Sequence, residues 1–118
     1  MAHKTDLGTV QIHNEVIGTI ASLAAQEVPG VIDIWRGVIP TLGRWAGKSG
    51  VRVEIRDQEV RVWMSLVAEY GVSLPQIATQ VQERVREMIE RMTHLMATEI
   101  HVGIHHVKTK ENSHPRKV

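Results

Sequence analysis

Val51-Arg-Val-Glu-Ile-Arg56 and Val60-Arg-Val-Trp-Met-Ser-Leu-Val-Ala-Glu69 are two alternating stretches joined by the polar segment Asp57-Gln-Glu59. In each stretch an apolar side chain falls on every second residue, which is the period of a strand with one buried face. Two such stretches around a short polar turn predict a β-hairpin. Arg61 and Trp63 lie on the face opposite the apolar residues, so the hairpin has an inner and an outer face.

Two amphipathic helices are predicted on either side of the hairpin along the chain. Apolar residues recur at helical spacing from Val16 to Val28, and Pro29-Gly30 ends the pattern. After the hairpin, Ser73 opens a capping-box signature, and an apolar stripe continues from Leu74 to Met92. Each helix therefore has one apolar face to bury against a sheet.

Two further strands complete the predicted fold. Gly8–His13 alternates briefly near the start, and a last strand is predicted from about Thr98 to Val107. The segment Val31–Ile34 fits either a short strand or an extended packing segment. The resulting order is strand, helix, hairpin, helix, strand, which predicts an α+β two-layer sandwich with both helices on one face of a small sheet. A ferredoxin-like strand order is one way to connect it, but the pattern does not fix the order.

The length of 118 residues predicts one structural domain. Residues 1–7 are expected to be a flexible leader, residues 8–107 the single α+β domain, and residues 108–118 a polar, disordered tail.

The composition excludes several classes of protein. The chain has no cysteine, which excludes disulfide frameworks, thiolate metal sites and thiol catalysis. Its formal net charge of +1 lacks the basic excess of a strong nucleic-acid binder. No apolar run approaches the roughly 20 residues of a membrane span, and no signal-peptide core is present, so a cytoplasmic location is expected.

No catalytic or cofactor-binding residue is predicted. None of the serines lies in a Gly-x-Ser-x-Gly turn, and the glycine-rich segment around Lys48 falls one residue short of a phosphate-binding loop. The acidic residues lie on helix exteriors and in turns, where solvation explains them. We therefore expect the protein not to be an enzyme.

The histidines offer a metal-binding alternative. His101 and His105 are four residues apart on a predicted strand and share a face, and His13 could join them if the first and last strands are neighbours. Residues at that spacing are about 13 Å apart along a strand, which is too far for one ion. The sequence therefore predicts no metal ligand, and a histidine-dependent metal protein remains an alternative.

Two regions are candidates for contact with a partner. Trp35 and Trp45 lie in a glycine-interrupted stretch that fits either an apolar contact site or a loop folded over the core. Trp63 lies on the outer face of the hairpin among arginines, a combination that is frequent at interfaces. The candidate partner-binding residues are Trp35, Trp45, Trp63, Arg52, Arg56 and Arg61.

A nucleic-acid-binding module is the other alternative. Recognition of RNA on an open sheet usually stacks bases on two or three aromatic rings. Trp63 is the only such ring predicted on the outer face of the hairpin. Glutamates on the same face offset the positive charge of the arginines there. Binding of RNA or another nucleic acid is therefore the less favoured interpretation.

Two sets of residues resemble a known family. The first runs from Gly8-Thr-Val-Gln-Ile12 through Glu27-Val28 to Gly30-Val31, and the second is Glu69-Tyr-Gly-Val-Ser-Leu-Pro75 with its following helix. Together they resemble the alkaline-shock, or envelope stress response, protein family of Gram-positive bacteria over residues 8–107. The Tyr-Gly-Val-x-x-Pro segment is the most specific part of the match.

The resemblance implies a small non-enzymatic protein of the envelope stress response without catalytic residues. Such a protein would be a cytoplasmic scaffold or adaptor, located at the inner face of the cell membrane through a membrane-anchored partner, and it would self-associate as a homo-oligomer. The partner, the oligomeric state and the stress served do not follow from the sequence.

Overall fold

The computed structural model describes residues 2–36 and 50–109. In these residues the chain forms six strands and two helices. The strands are β1 (Ala2–Thr5), β2 (Gly8–Gln11), β3 (Val31–Ile34), β4 (Arg52–Arg56), β5 (Glu59–Glu69) and β6 (Met96–Lys108), and the helices are α1 (Asn14–Gln26) and α2 (Leu74–Thr93). The fold is α+β, as the sequence predicts.

The long strand β5 is the centre of a four-stranded sheet. β6 runs parallel to β5 along the whole of one edge, from Glu59 to Glu69. β3 and β4 are both antiparallel to β5 and share its other edge, with β4 beside residues 59–63 and β3 beside residues 66–68. The hairpin β4–β5 is confirmed, and the segment 31–34 is resolved in favour of a strand.

Both helices pack on one face of this sheet. α1 covers β3 and β4, α2 covers β6, and the two helices contact each other. Most of the buried side chains form one core between the helices and the sheet. The residues buried in its centre are Ile17, Ala21, Ala24 and Ala25 of α1, Val81, Val85 and Ile89 of α2, and Val60, Val62 and Leu66 of β5. Neither helix is long and apolar enough to cross a bilayer.

The beginning of the chain differs from the expectation. Residues 2–5, which were expected to belong to a flexible leader, form β1, and β1 pairs with β2 in a separate two-stranded hairpin. The strand predicted from Gly8 therefore does not join the main sheet. All four residues of β2 are exposed, so this strand has no buried face.

Polar residues at the two helix starts do not cap their helices through their side chains. Ser73 is the N-cap of α2, but its side chain makes no capping hydrogen bond. Asn14 is the first residue of α1, and its Nδ2 donates to the carbonyl of Val53 at 3.1 Å. Asn14 therefore ties the start of α1 to β4 instead of capping the helix. Trp45 and the tail from residue 110 onward lie outside the described residues.

Gly30, between α1 and β3, is predicted to resist substitution more strongly than Gly71. Both glycines have a positive φ, of 100° and 96°. An added Cβ at Gly30 would overlap the Ile77 side chain, whereas one at Gly71 meets no atom within 4 Å. Both alanine variants bear the left-handed backbone strain of about 1–2 kcal/mol, and we expect Gly30→Ala to cost about 1 kcal/mol more. Urea denaturation followed by circular dichroism measures the difference, and equal losses would contradict the packing at Gly30.

Candidate docking face

The sheet face opposite the helices is the candidate functional site and is named the open face. Among the described residues, no helix packs on it. Alternation along β5 puts the core residues on the helix side and Arg61, Trp63 and Ser65 on the other. The neighbouring strands add Arg52 and Glu54 of β4 and Glu99, His101, Gly103 and His105 of β6, and Trp35 follows β3 on the same side.

A three-member stack crosses the open face from β4 to β6. Arg52 lies opposite Trp63 in the antiparallel register, and its guanidinium carbon is 4.6 Å from the centroid of the indole ring. His101 lies opposite Trp63 on the other side, with ring centroids 5.4 Å apart and an interplanar angle of 12°. The stack Arg52–Trp63–His101 therefore fixes an aromatic surface by a cation–π contact and a ring contact.

Charged side chains surround this stack. Glu99 accepts a hydrogen bond from the His101 ring, at 2.8 Å between Oε1 and Nε2, and lies 3.4 Å from Nε of Arg61. The contact with His101, with the positive charge of Arg61, holds the pKa of the Glu99 carboxyl below its usual value. Arg52 also forms an ion pair with Glu54 at 3.1 Å. Such exposed pairs contribute little stability, so their role here is to orient side chains on the open face.

A second pair of rings lies at the other end of the open face. The backbone N–H of Trp35 donates to the carbonyl of Ser65 at 2.8 Å, which places Trp35 beside β5. Its indole stacks on His105, with centroids 4.0 Å apart, and lies 6.4 Å from the ring of His106. A β-bulge at this point of β6 brings both histidines to the same side. Trp35 Nε1 is buried and has no hydrogen-bond partner among the described residues.

A shallow gap separates the two ring groups. Its floor is formed by Ser65 and Gly103, which lie opposite each other in the β5–β6 register. A Cβ added at Gly103 would meet Ser65 Oγ at 3.6 Å and a backbone carbonyl at 4.0 Å, which are ordinary contact distances, so a small side chain fits there. The open face therefore presents two aromatic ridges, with a gap between them. One ridge is the stack Arg52–Trp63–His101, and the other is the pair Trp35–His105.

Four of the six candidate residues lie on this face close to the two ridges. Trp35, Trp63, Arg52 and Arg61 belong to the ring groups or to their ion pairs. Arg56 lies at the far end of β4, opposite Glu59, and has no ion pair within the described residues. Trp45 lies outside them, so its position is not described.

The histidines and Glu99 were not among the candidate residues. The sequence pattern offers His101 and His105 only as possible metal ligands, whereas in the structure they pack against the two tryptophans. The signal that connects His101 with Trp63 is the parallel register of β5 and β6. Within residues 2–36 and 50–109, no three His, Asp or Glu side chains are placed to hold one metal ion.

A second surface feature lies on the helix side. Arg84 of α2 donates to Glu27, which follows α1, at 2.9 Å from Nε and to Glu87 at 2.8 Å. These two carboxylates raise the pKa of Arg84, and the three side chains border a shallow cleft of about 590 Å³ with Pro29 and Gln80. One arginine faces two acids here and Glu83 adds a third, so the cleft joins the two helices and keeps an excess of negative charge.

Comparison with known proteins gives a family and a fold. A model of the alkaline-shock protein family, described by a cell envelope-related function, matches residues 2–109. The YqhY protein of Bacillus subtilis (strain 168) is 38% identical over 104 residues, which are 85% of this chain and 77% of that protein. A stress response regulator gls24 homolog of Streptococcus pyogenes serotype M1 is 31% identical over 94% of this chain, which spans only 65% of that relative.

Solved structures are similar in fold at low sequence identity. A MamM CTD in a copper form has a TM-score of 0.58 at 20% identity, with 89% of this chain and 94% of that chain covered. A variant of MamM-CTD has a TM-score of 0.57 at 21% identity, with 80% and 99% covered. At these identities the similarity concerns the arrangement of helices and strands alone.

Proposed function

The chain belongs to the alkaline-shock, or envelope stress response, protein family, and from this premise we propose that it is a non-enzymatic scaffold or adaptor that docks other proteins on its open face. The partner is a membrane-anchored protein, and the chain also self-associates. The protein acts in the cytoplasm, at the inner face of the cell membrane to which that partner holds it.

The observation that carries this proposal is the pair of aromatic ridges on a sheet face that no described helix covers. Trp63 and Trp35 each present an indole that a histidine holds in place, so little side-chain freedom remains to be lost on binding. Aromatic and arginine side chains are the residue types most often found at the energetic centres of protein interfaces. Arg61 and Glu54 at the margin supply a polar rim.

The family and its described function support the location of this role. The cell envelope-related function described for the family supports a role at the membrane or with a protein held there. The helices α1 and α2 are unsuited to crossing a bilayer, so contact through a membrane-anchored partner is the simplest arrangement. The gls24 homolog is named a stress response regulator, which is consistent with action through binding.

A pull-down from detergent-solubilised membranes of the source cell tests the proposal. We expect the tagged parent protein to retain one membrane protein that the Trp63→Ala variant loses, while the helical circular dichroism signal stays unchanged. The matched control is Tyr70→Ala, which removes an aromatic ring that is 71% exposed just beyond the end of β5. Tyr70→Ala should retain the partner as the parent does.

Three outcomes would contradict the proposal. Equal recovery of the membrane protein by the parent and by Trp63→Ala would show that Trp63 of the open face does not contribute to the interaction. Loss of the helical signal in Trp63→Ala would show that Trp63 is needed for folding. Capture of nucleic acid, with an affinity that falls steeply as salt is raised, would favour the nucleic-acid alternative instead.

A further inference from the structure

The outer edge of β6 is the second unusual surface of the molecule. β6 has 13 residues, and β5 is its one neighbouring strand in the described residues. An unpaired strand of this length is a template for pairing with another chain, and proteins usually protect such edges by prolines, lysines, bulges or covering segments. Only part of β6 has such protection.

Protection lies at the two ends of the strand and not in its middle. Glu90 of α2 accepts from the Ala97 N–H at 3.0 Å, and Gln82 of α2 donates to the carbonyl of Ile100 at 2.9 Å. Register shifts against β5 lie at Thr98 and at His105. Between these two bulges the strand is regular, and from His101 to Ile104 it has no lysine and no proline and makes no side-chain contact to its backbone within the described residues.

The regular segment is nearly symmetric about Val102. If two copies of β6 pair antiparallel with Val102 opposite Val102, Ile100 comes opposite Ile104, and His101 comes opposite Gly103. Val102 and Ile104 are half-buried at the margin of the core, and this pairing would bury their remaining apolar surface on the helix side. On the open face, His101, whose ring stays stacked on Trp63, comes opposite Gly103 of the other copy, which has no side chain to obstruct the pairing.

Charged side chains and backbone hydrogen-bonding groups are also complementary when the two strands pair about Val102. Just outside the five paired residues, Glu99 comes opposite His105 of the second copy, an acid against a group that can bear positive charge. The bond from Gln82 shows that the carbonyl of Ile100 is within reach of a donor outside β5. In the paired form, the N–H of Ile104 from the second copy takes the place of Gln82. Only a second copy of this strand offers such self-complementarity.

We propose that the protein forms a two-fold dimer by antiparallel pairing of the β6 edges around Val102. This inference deepens the self-association included in the proposed function and assigns it to a strand edge. The two sheets become one continuous sheet, and the open faces of both copies lie on neighbouring parts of it. A partner with two docking segments would then bind with avidity.

Site-specific cross-linking tests the register directly, because the natural chain has no cysteine. In the proposed dimer the Cβ atoms of residue 102 in the two copies lie about 5 Å apart. We expect Val102→Cys to give a covalent dimer under mild oxidation or with a short thiol-reactive linker. Met96→Cys is the control, because Met96 is exposed on the same strand but would face Lys108 and not its own copy.

A second variant tests the edge without a cysteine. Gly103→Lys places a long charged side chain opposite His101 of the other copy, and in the monomer a Cβ at this position has only ordinary contacts, at 3.6 and 4.0 Å. In sedimentation velocity measurements we expect Gly103→Lys to raise the dimer dissociation constant at least tenfold. Leu23→Lys, which adds the same charge at an exposed position of α1, should leave the constant unchanged.

The outcomes separate this inference from the docking role of the open face. A parent that stays monomeric at millimolar concentration overturns the edge dimer, and so does cross-linking of the Met96→Cys variant without cross-linking of the Val102→Cys variant. Trp63→Ala should dimerise as the parent does, because Trp63 is not at the β6 edge. If Val102→Cys is cross-linked but the protein captures no membrane partner, the dimer is supported and the docking proposal is contradicted.

Discussion

Leu66→Ala is expected to lower the free energy of unfolding by about 3 kcal/mol, within the range for deletion of a buried leucine side chain. Leu66 lies in β5 and has no solvent exposure, and it belongs to the core that both helices share with the sheet. The loss combines the transfer free energy of the removed methyl groups with the cavity left between two rigid layers. For a domain of this size it removes a large part of the total stability.

Leu23→Ala is the matched control for this prediction. Leu23 lies on α1 but is 60% exposed, and alanine is an excellent helix former, so the same substitution should change the free energy of unfolding by less than about 0.5 kcal/mol. Urea denaturation followed by circular dichroism measures both variants. Similar losses at Leu66 and Leu23 would contradict the placement of β5 between β6 on one edge and β3 and β4 on the other, beneath the helices.

Local periodicity explains which parts of the fold could be predicted. The alternation in Val51–Arg56 and Val60–Glu69 and the helical stripes on either side depend only on neighbouring residues, and all of these elements are present. The strand order depends on contacts between distant segments. The parallel pairing of β6 with β5 and the exclusion of β2 from the main sheet therefore have no counterpart in a local pattern.

The candidate site, like the fold, has one part that local sequence patterns predict and one part that depends on contacts between distant strands. Arg52 and Trp63 belong to one hairpin, so their shared face follows from the alternation of its two strands. His101 lies far beyond Trp63 along the chain, and its contact with the indole arises only because β6 returns parallel to β5. Trp35 joins the open face for a similar reason, through β3. The sequence could indicate the residue types of a docking face, whereas the two ridges require the sheet.

Trp63→Ala is expected to weaken binding to the membrane partner by about 30-fold or more, because the central aromatic residues of an interface commonly contribute about 2 kcal/mol or more. Arg52→Ala is expected to have a smaller effect. Since the guanidinium of Arg52 lies 4.6 Å above the indole, both side chains present one surface. The loss in the double variant should therefore be smaller than the sum of the two single losses.

A double-mutant cycle measured by titration calorimetry with the purified partner checks this coupling. Arg56→Ala serves as the control, because Arg56 carries the same charge on β4 but lies at the far end of the strand, opposite Glu59. Its effect should add to that of Trp63→Ala without coupling, since the two side chains do not share a surface. Additive losses for Arg52 and Trp63 would show that the partner contacts them separately, and the stack would then be a feature of the free protein alone.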